Sequence, residues 1–323
     1  MTTFDRILTA LYDRREAFVS VEDLAAVAGV GRGRLDRELE ALRQAGCRLE
    51  FSPQEGVRLL PPVPLAACLI ERDLGTARVG RSVMCFEEVE STNDVALAAI
   101  RQGGADGLVV LAECQTRGRG RLGRTWVSPA RRNVLLSALL VDEGTTRGRR
   151  HEALTIAAGL AAAEAIEEST GLACELKWPN DVLLVGAKVA GVLVEMRAEG
   201  QSLGTVLGVG VNVNAAPPPE EVDRPVTCLA ERLSHEVDRV AVVRSLLRRL
   251  DEWVRRTDAD ELEELHRGFL ARCRMINERV TILCDGRQHT GRVLDVDPLR
   301  GLVLCHDDGS RAYLRAEGSS VVR

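Results

Sequence analysis

The residues best suited to chemistry lie in one stretch, Gln115-Thr116-Arg117-Gly118-Arg119-Gly120-Arg121-Leu122-Gly123-Arg124-Thr125-Trp126. Four arginines alternate with three glycines directly after the apolar, strand-like run 108–112. Glycine lets a backbone approach a ligand closely. A guanidinium offers a permanent charge and a planar fork of donors that fits carboxylate or phosphate. A strand feeding such a loop reads as a wrap for an anion. A second clue is what the chain withholds. Of 43 Lys plus Arg only two are lysine, Lys177 and Lys188. Both fall in one segment, Lys177-Trp178-Pro179-Asn180-Asp181 through Lys188-Val189-Ala190-Gly191. Coding bias accounts for the arginines; the surviving Lys177 marks where a compact ammonium is required, while for Lys188 chance is an equal reading. The proline ends a strand and aims Lys177 into a pocket. Loop and lysine together predict a cationic cleft in a chain of net charge -5. Its ligand would be a nucleotide phosphate or a carboxylate.

Other chemistries find less support. The nine cysteines are scattered without CxxC spacing and read as reduced thiols. The five histidines show no HExxH spacing, so neither a metal centre nor histidine-based catalysis is expected. Arg/Gly tracts also occur in RNA-binding segments, but aromatics make up 3% of the chain and provide no stacking platform. Charged residues interrupt every apolar run and the start lacks a signal segment, so a soluble, cytoplasmic protein without membrane contact is expected.

Three domains must carry these residues, at 1–62, 65–270 and 271–323. Phe4, Ile7, Leu8 and Leu11 have helical spacing. Ser20 caps a second helix, and a third runs over 34–45 with Leu35, Leu39 and Leu42 inward and Gly46 as its stop. A hairpin over 48–59 completes a winged helix-turn-helix, a DNA-reading arrangement. Arg32, Arg34 and Arg37 are its candidate DNA contacts. Residues 1–62 hold nine arginines against ten carboxylates, and Asp36, Glu38 and Glu40 on the same helix would repel phosphates. A packing or protein-contact role is therefore the competing reading, and DNA binding would call for a homodimer. Pro61-Pro62-Val63-Pro64 is a stiff linker.

The region 65–270 reads as α+β. Strands are predicted at 83–89, 108–112, 133–141, 174–178, 182–185, 189–197 and 204–214, the last four forming an antiparallel sheet. Ser91-x-x-Asp94 is a helix capping box. Helices are predicted over 95–100, 152–169, 239–256 and 261–270. In the tail, Asp285-Gly286, Asp297-Pro298 and Asp308-Gly309 punctuate short strands of a small barrel in which nothing reads as catalytic.

Together these motifs resemble biotin–protein ligase in its long form, which doubles as the biotin operon repressor. The matching pieces, in order, are Ser91-Thr92-Asn93, the stretch from Gln115 through Trp126, Lys177-Trp178-Pro179-Asn180-Asp181, Lys188-Val189-Ala190-Gly191 through Glu195, and Gly208-Val209-Gly210-Val211-Asn212. The resemblance covers nearly the whole chain. It implies a central biotin/lipoate-ligase-like mixed sheet with helices and a C-terminal SH3-like β-barrel. It implies two half-reactions: biotin and ATP-Mg²⁺ give biotinoyl-5′-AMP, then a lysine of a biotin carboxyl carrier domain takes the biotin. Ser91, Thr92, Asn93, Gln115, Arg119, Gly120, Arg121, Lys177 and Gly191 would bind biotin. Arg119, Arg121, Arg124, Lys177, Asn180, Lys188 and Asn212 would bind ATP. Lys177 and Arg121 would be catalytic, with backbone N–H groups near Gly118 and Gly120 helping to hold the anions. One departure stands out: the family's bifunctional members carry a tryptophan over the adenine, whereas residues 214–230 here contain no aromatic residue. A lipoate or octanoate ligase, or a non-catalytic effector-binding regulator that contacts operator DNA, is the alternative.

Overall fold

The computed structural model describes residues 1–101, 106–143, 150–199, 202–222 and 224–322. Three helices open the chain: α1 (Thr3–Asp13), α2 (Val21–Ala28) and α3 (Arg32–Gln44). Thr2 and Asp5 form a reciprocal capping box at the start of α1, and the Ser20 side chain caps α2. Ile7, Leu8, Leu11, Leu24, Leu35, Leu39 and Leu42 meet in a buried cluster. The antiparallel hairpin of β1 (Arg48–Ser52) and β2 (Gly56–Leu60) follows, with Leu49 opposite Leu59.

The linker after the hairpin is fastened rather than loose. Arg239 and Glu113, 3% and 5% exposed, pair at 2.5 Å. Glu113 also accepts from the Leu65 N–H at 2.8 Å, while Arg239 donates to the Val63 carbonyl at 2.9 Å. A pair so deeply buried is tolerated because these extra bonds satisfy its remaining polar atoms.

Next come α4 (Ala67–Glu71), β3 (Ser82–Val89), α5 (Thr92–Arg101), β4 (Leu108–Gln115), β5 (Val134–Glu143), α6 (His151–Thr170), β6 (Glu175–Lys177), β7 (Asp181–Leu184), β8 (Ala187–Glu199) and β9 (Ser202–Val211). The strands form one seven-stranded sheet in the order β3-β4-β5-β9-β8-β7-β6. The sheet is mixed: β3 and β4 are parallel, joined by the crossover helix α5, and the other neighbours are antiparallel. The expected antiparallel group at 174–214 is thus the larger part of a wider sheet. Helix α6 is buried from Glu152 to Ile166 with few interruptions, and Gly171 at φ 74° stops it. Such an all-round apolar helix belongs at the centre of a fold. After α7 (Leu229–Leu233), the amphipathic α8 (Arg239–Asp258) packs Leu246, Leu247, Leu250 and Val254 inward, and α9 (Leu262–Leu270) follows.

The tail forms a five-stranded antiparallel sheet of β10 (Arg279–Cys284), β11 (Arg287–Asp297), β12 (Gly301–Cys305), β13 (Arg311–Leu314) and β14 (Ser319–Val321), ordered β13-β12-β11-β10-β14. Asp285 and Gly286 at the β10–β11 turn both have positive φ, 48° and 78°, as a tight hairpin turn requires. No helix among the described residues is long and apolar enough to cross a membrane.

Candidate active site

One cavity of about 500 Å³ opens where the ends of β3, β4, β6 and β7 meet the faces of β8 and β9. All thirteen residues expected to bind biotin or ATP line it. Arg32, Arg34 and Arg37 lie elsewhere, exposed along the first turns of α3.

The floor is made of glycine for steric reasons. Gly191 faces Gly210 across β8 and β9, and Gly208 sits two residues along on the same face. A Cβ at Gly210 would lie 2.4 Å from Trp126 Cε2, and one at Gly208 would lie 2.4 Å from Asn93 Oδ1. The bare backbone thus lets Trp126 and Asn93 lie against the sheet.

One end is lined by neutral polar side chains and crowded with hydrogen bonds. The Thr92 N–H and hydroxyl donate to Gln115 Oε1 at 2.8 and 3.0 Å. Ser137, a buried residue of β5, stands 2.7 Å from the Thr92 hydroxyl and 2.5 Å from Asn93 Oδ1. Asn93 donates in turn to Glu195 at 2.6 Å. A network of this kind holds its polar atoms in fixed directions and suits a neutral polar head group.

The cations divide into two groups. Arg119 is clamped by Asp94 at 2.5 Å and Glu195 at 3.0 Å, so its guanidinium braces the loop and its charge is cancelled locally. The hydrogen bond with Asp94 holds its pKa above the usual arginine value. Lys188 is likewise spent: it pairs with Asp181 at 2.5 Å, which also accepts from Arg224 at 3.2 Å, and lies 5.4 Å from the Trp126 ring centre. Arg121 and Arg124 instead meet neutral acceptors. Arg121 donates to the Ser319 carbonyl at 3.1 Å and lies 3.4 Å from Asn180 Oδ1. Arg124 donates to the Ser320 hydroxyl at 3.0 Å. Burial lowers the Arg121 pKa below its ordinary value. The Lys177 ammonium has no hydrogen-bonded or ion-paired partner among the described residues. The charge available to an anion is therefore that of Lys177, Arg121 and Arg124.

The backbone expectation is corrected at one point. The Gly120 N–H is not free for a ligand, since it donates to the Arg124 carbonyl at 2.7 Å and closes the loop on itself. The tail, in which nothing reads as catalytic, nevertheless reaches the cavity, because Ser319, Ser320 and Val321 on β14 line it. Sequence reasoning also left out Asp181, Glu195, Ser137 and Trp126. Asp181, Glu195 and Trp126 stand inside motifs already singled out; Ser137 and the tail serines carry no local signal.

Four buried polar atoms on residues that line the cavity lack hydrogen-bond partners among the described residues: Trp126 Nε1 and Trp178 Nε1, both donors, the Ser319 hydroxyl, and Asn212 Oδ1, an acceptor. The Asn212 amide is oriented by donating to the Thr227 carbonyl at 3.2 Å. Pro217, Val222, Arg224 and Val226 form the wall beside it. Among the described residues no group of three His, Cys, Asp or Glu could hold a metal ion.

The chain is similar to known ligases in sequence and in fold. Residues 85–212 match the Biotin/lipoate A/B protein ligase family. The chain is 31% identical over 234 residues to the bifunctional ligase/repressor BirA of Bacillus subtilis, covering 71% of each chain. It is 34% identical over 275 residues to the biotin–[acetyl-CoA-carboxylase] ligase of Mycobacterium tuberculosis, covering 82% of this chain and 97% of that one. The Aquifex aeolicus biotin protein ligase solved with biotin and ATP is similar at a TM-score of 0.65 and 28% identity, covering 75% of this chain and 99% of that one. Likeness over nearly the full length of the mycobacterial enzyme extends well beyond the cavity motifs, and the chain belongs to the biotin protein ligase family.

Proposed function

We propose that this chain activates biotin with ATP to biotinoyl-5′-AMP and passes the biotin to a lysine of a carrier domain. The observation that supports this most strongly is the division of one cavity into a neutral hydrogen-bonding end and an end with three uncancelled cations. Biotin has that shape of chemistry, a neutral ureido head and a carboxylate tail. The head is read as lying against Thr92 and Gln115, with the buried Ser137 orienting the Thr92 hydroxyl from behind. The tail then reaches Lys177, Arg121 and Arg124. There the carboxylate and the α-phosphate must approach although both are negative. At about 4 Å and an effective dielectric near 20, two unit charges repel by about 4 kcal/mol. Fixed cations offset that repulsion without reorganising at the moment of reaction.

In the first half-reaction a biotin carboxylate oxygen attacks the α-phosphorus and pyrophosphate leaves. Lys177 is assigned to the growing charge on the α-phosphate, and Arg121 and Arg124 to the phosphates. In the second, the carrier lysine attacks the acyl carbon and AMP leaves. No side-chain nucleophile is needed, because the carboxylate itself attacks. Asn212 Oδ1 is the acceptor for an adenine amino group, and Trp126 Nε1 is a donor for the bound intermediate. Pro217, Val222 and Val226, with the Arg224 guanidinium, take the place of the missing tryptophan as the adenine wall. Mg²⁺ would shield the phosphates and enter with ATP, since Asp181 is already held by Lys188 and Arg224.

We further assign residues 1–62 to a winged helix-turn-helix, 65–270 to the ligase domain and 271–323 to an SH3-like barrel; Arg323 lies outside the described residues. A repressor role on operator DNA is supported by the helix–helix–helix–hairpin order and by the name of the Bacillus relative. Arg32, Arg34 and Arg37 are its candidate contacts, acting in a homodimer. Helix α3 also carries Asp36, Glu38 and Glu40, so binding should be weak and salt-sensitive.

The test is to incubate the chain with ATP, Mg²⁺, a biotin carboxyl carrier domain and either biotin or lipoate. Carrier mass should rise with biotin and stay fixed with lipoate. No gain with biotin would overturn the ligase reading, and a gain with lipoate alone would replace it. A gel shift on the DNA upstream of biotin-synthesis genes, with and without biotin and ATP, tests the repressor role.

A further inference from the structure

The first turn of α6 carries a carboxylate that the mechanism above leaves without a task. Glu152 is 5% exposed. One of its oxygens accepts from the Ala316 N–H at 2.6 Å, in the segment that enters β14. The other, Oε2, is buried without a hydrogen-bond partner among the described residues. The charged groups within electrostatic reach are Arg121 from the Arg/Gly loop and Arg315 and Glu317 from the tail. The neighbouring His151 ring stands 3.4 Å from the Val194 carbonyl.

The segment gripped by Glu152 is the one that holds the two free arginines. The Ser319 N–H turns back onto the Ala316 carbonyl at 3.1 Å, so Ala316 and Ser319 move together. Ser319 then presents its carbonyl to Arg121, and Ser320 its hydroxyl to Arg124. A continuous series of hydrogen bonds thus runs from the N-terminus of α6 through the tail to the loop. None of these bonds involves Thr92, Gln115 or Ser137.

We propose that Glu152 is a positioning residue for the adenylation step: by seating the 316–320 segment, it sets Arg121 and Arg124 where the phosphates of ATP bind. The inference rests on the ligase reading. It assigns Glu152 to nucleotide binding and leaves the biotin end untouched. Replacing it by alanine strands the Ala316 N–H and frees the segment. Replacing it by glutamine keeps an acceptor oxygen in place.

The experiment is biotin-dependent ATP–pyrophosphate exchange by the wild type, Glu152→Ala and Glu152→Gln, varying ATP and biotin separately. For Glu152→Ala the expected result is an ATP KM raised about tenfold, with kcat and the biotin KM within about threefold of wild type. Glu152→Gln should return the ATP KM to within about threefold. A structural defect would spread over both substrates, and thermal melts of all three proteins check that they are folded. An unchanged ATP KM in Glu152→Ala, equal losses for both substrates, or a glutamine variant no better than alanine would each overturn the proposal. If the wild type itself shows no biotin-dependent exchange, the ligase reading fails first, which separates the two failures.

Discussion

Lys177→Ala gives the most discriminating mutation in the cleft. Lys177 is one of three cations there whose charge no contacting carboxylate cancels, and among the described residues it has no partner to lose. Removing it deletes one of the charges that offset a repulsion of about 4 kcal/mol between carboxylate and phosphate. Arg121 and Arg124 remain, and the site is open to water on one side, so the loss should fall below that ceiling. We expect adenylate formation to slow by roughly a hundredfold, the low end of the range seen when one preorganised donor is removed from a developing oxyanion. Folding stability should hold, because no ion pair is broken. Lys177→Arg keeps the charge but spreads it over a planar fork, and should recover only part of the rate. Single-turnover formation of biotinoyl-5′-AMP, followed by chromatography, gives the rate, and thermal melting gives the stability. A Lys177→Ala rate near wild type, or a rate loss matched by a large loss of stability, would refute the assignment.

The other perturbations act on structure first. Lys188→Ala leaves Asp181, 7% exposed, with Arg224 as its remaining cation, and should cost about 1–3 kcal/mol in denaturant melts, in contrast to the silent Lys177→Ala. Gly210→Ala drives a methyl into Trp126 at 2.4 Å; we expect about 1–3 kcal/mol of destabilisation and a sharp loss of biotin affinity, measured by melting and by calorimetry. Burial pushes the Glu152 carboxyl from 4.5 up to about 6. Its native state therefore binds the proton more tightly than the unfolded chain. Its contribution is most favourable below pH 4.5 and declines as pH rises through about 6. Glu152→Gln should thus be more stable than wild type by about 2 kcal/mol at pH 7.5 and equal to it near pH 4, read from denaturant melts at both values.

The sequence was informative where structure is local and less so where it is assembled from distant segments. Capped helices, glycine stops and Asp-Gly turns announce themselves within a few residues, and α1, α2, α6, α8 and the tail hairpins follow those signals. The mixed sheet does not: β3 and β4 become parallel neighbours only because α5 returns the chain to the same side. The cleft repeats the distinction. Glycine and arginine spacing marked the loop, but not which arginines would stay available. Arg119 is neutralised by Glu195, 76 residues away. Arg121 and Arg124 meet serines 198 and 196 residues away. Small polar residues on a short edge strand have no pattern that would reveal such a contact. Lys177 and Lys188 looked alike as rare lysines, and Asp181 is what makes them different.

On the proposed mechanism biotin and ATP lie side by side in this one cavity and the biotin carboxylate attacks the α-phosphorus directly. It is tested most directly with biotin carrying ¹⁸O in its carboxylate, ATP, Mg²⁺ and the carrier domain in a complete turnover. One labelled oxygen should appear in the phosphate of AMP, and the carrier should gain biotin. Label in pyrophosphate or inorganic phosphate, or biotinylated carrier with unlabelled AMP, would contradict it.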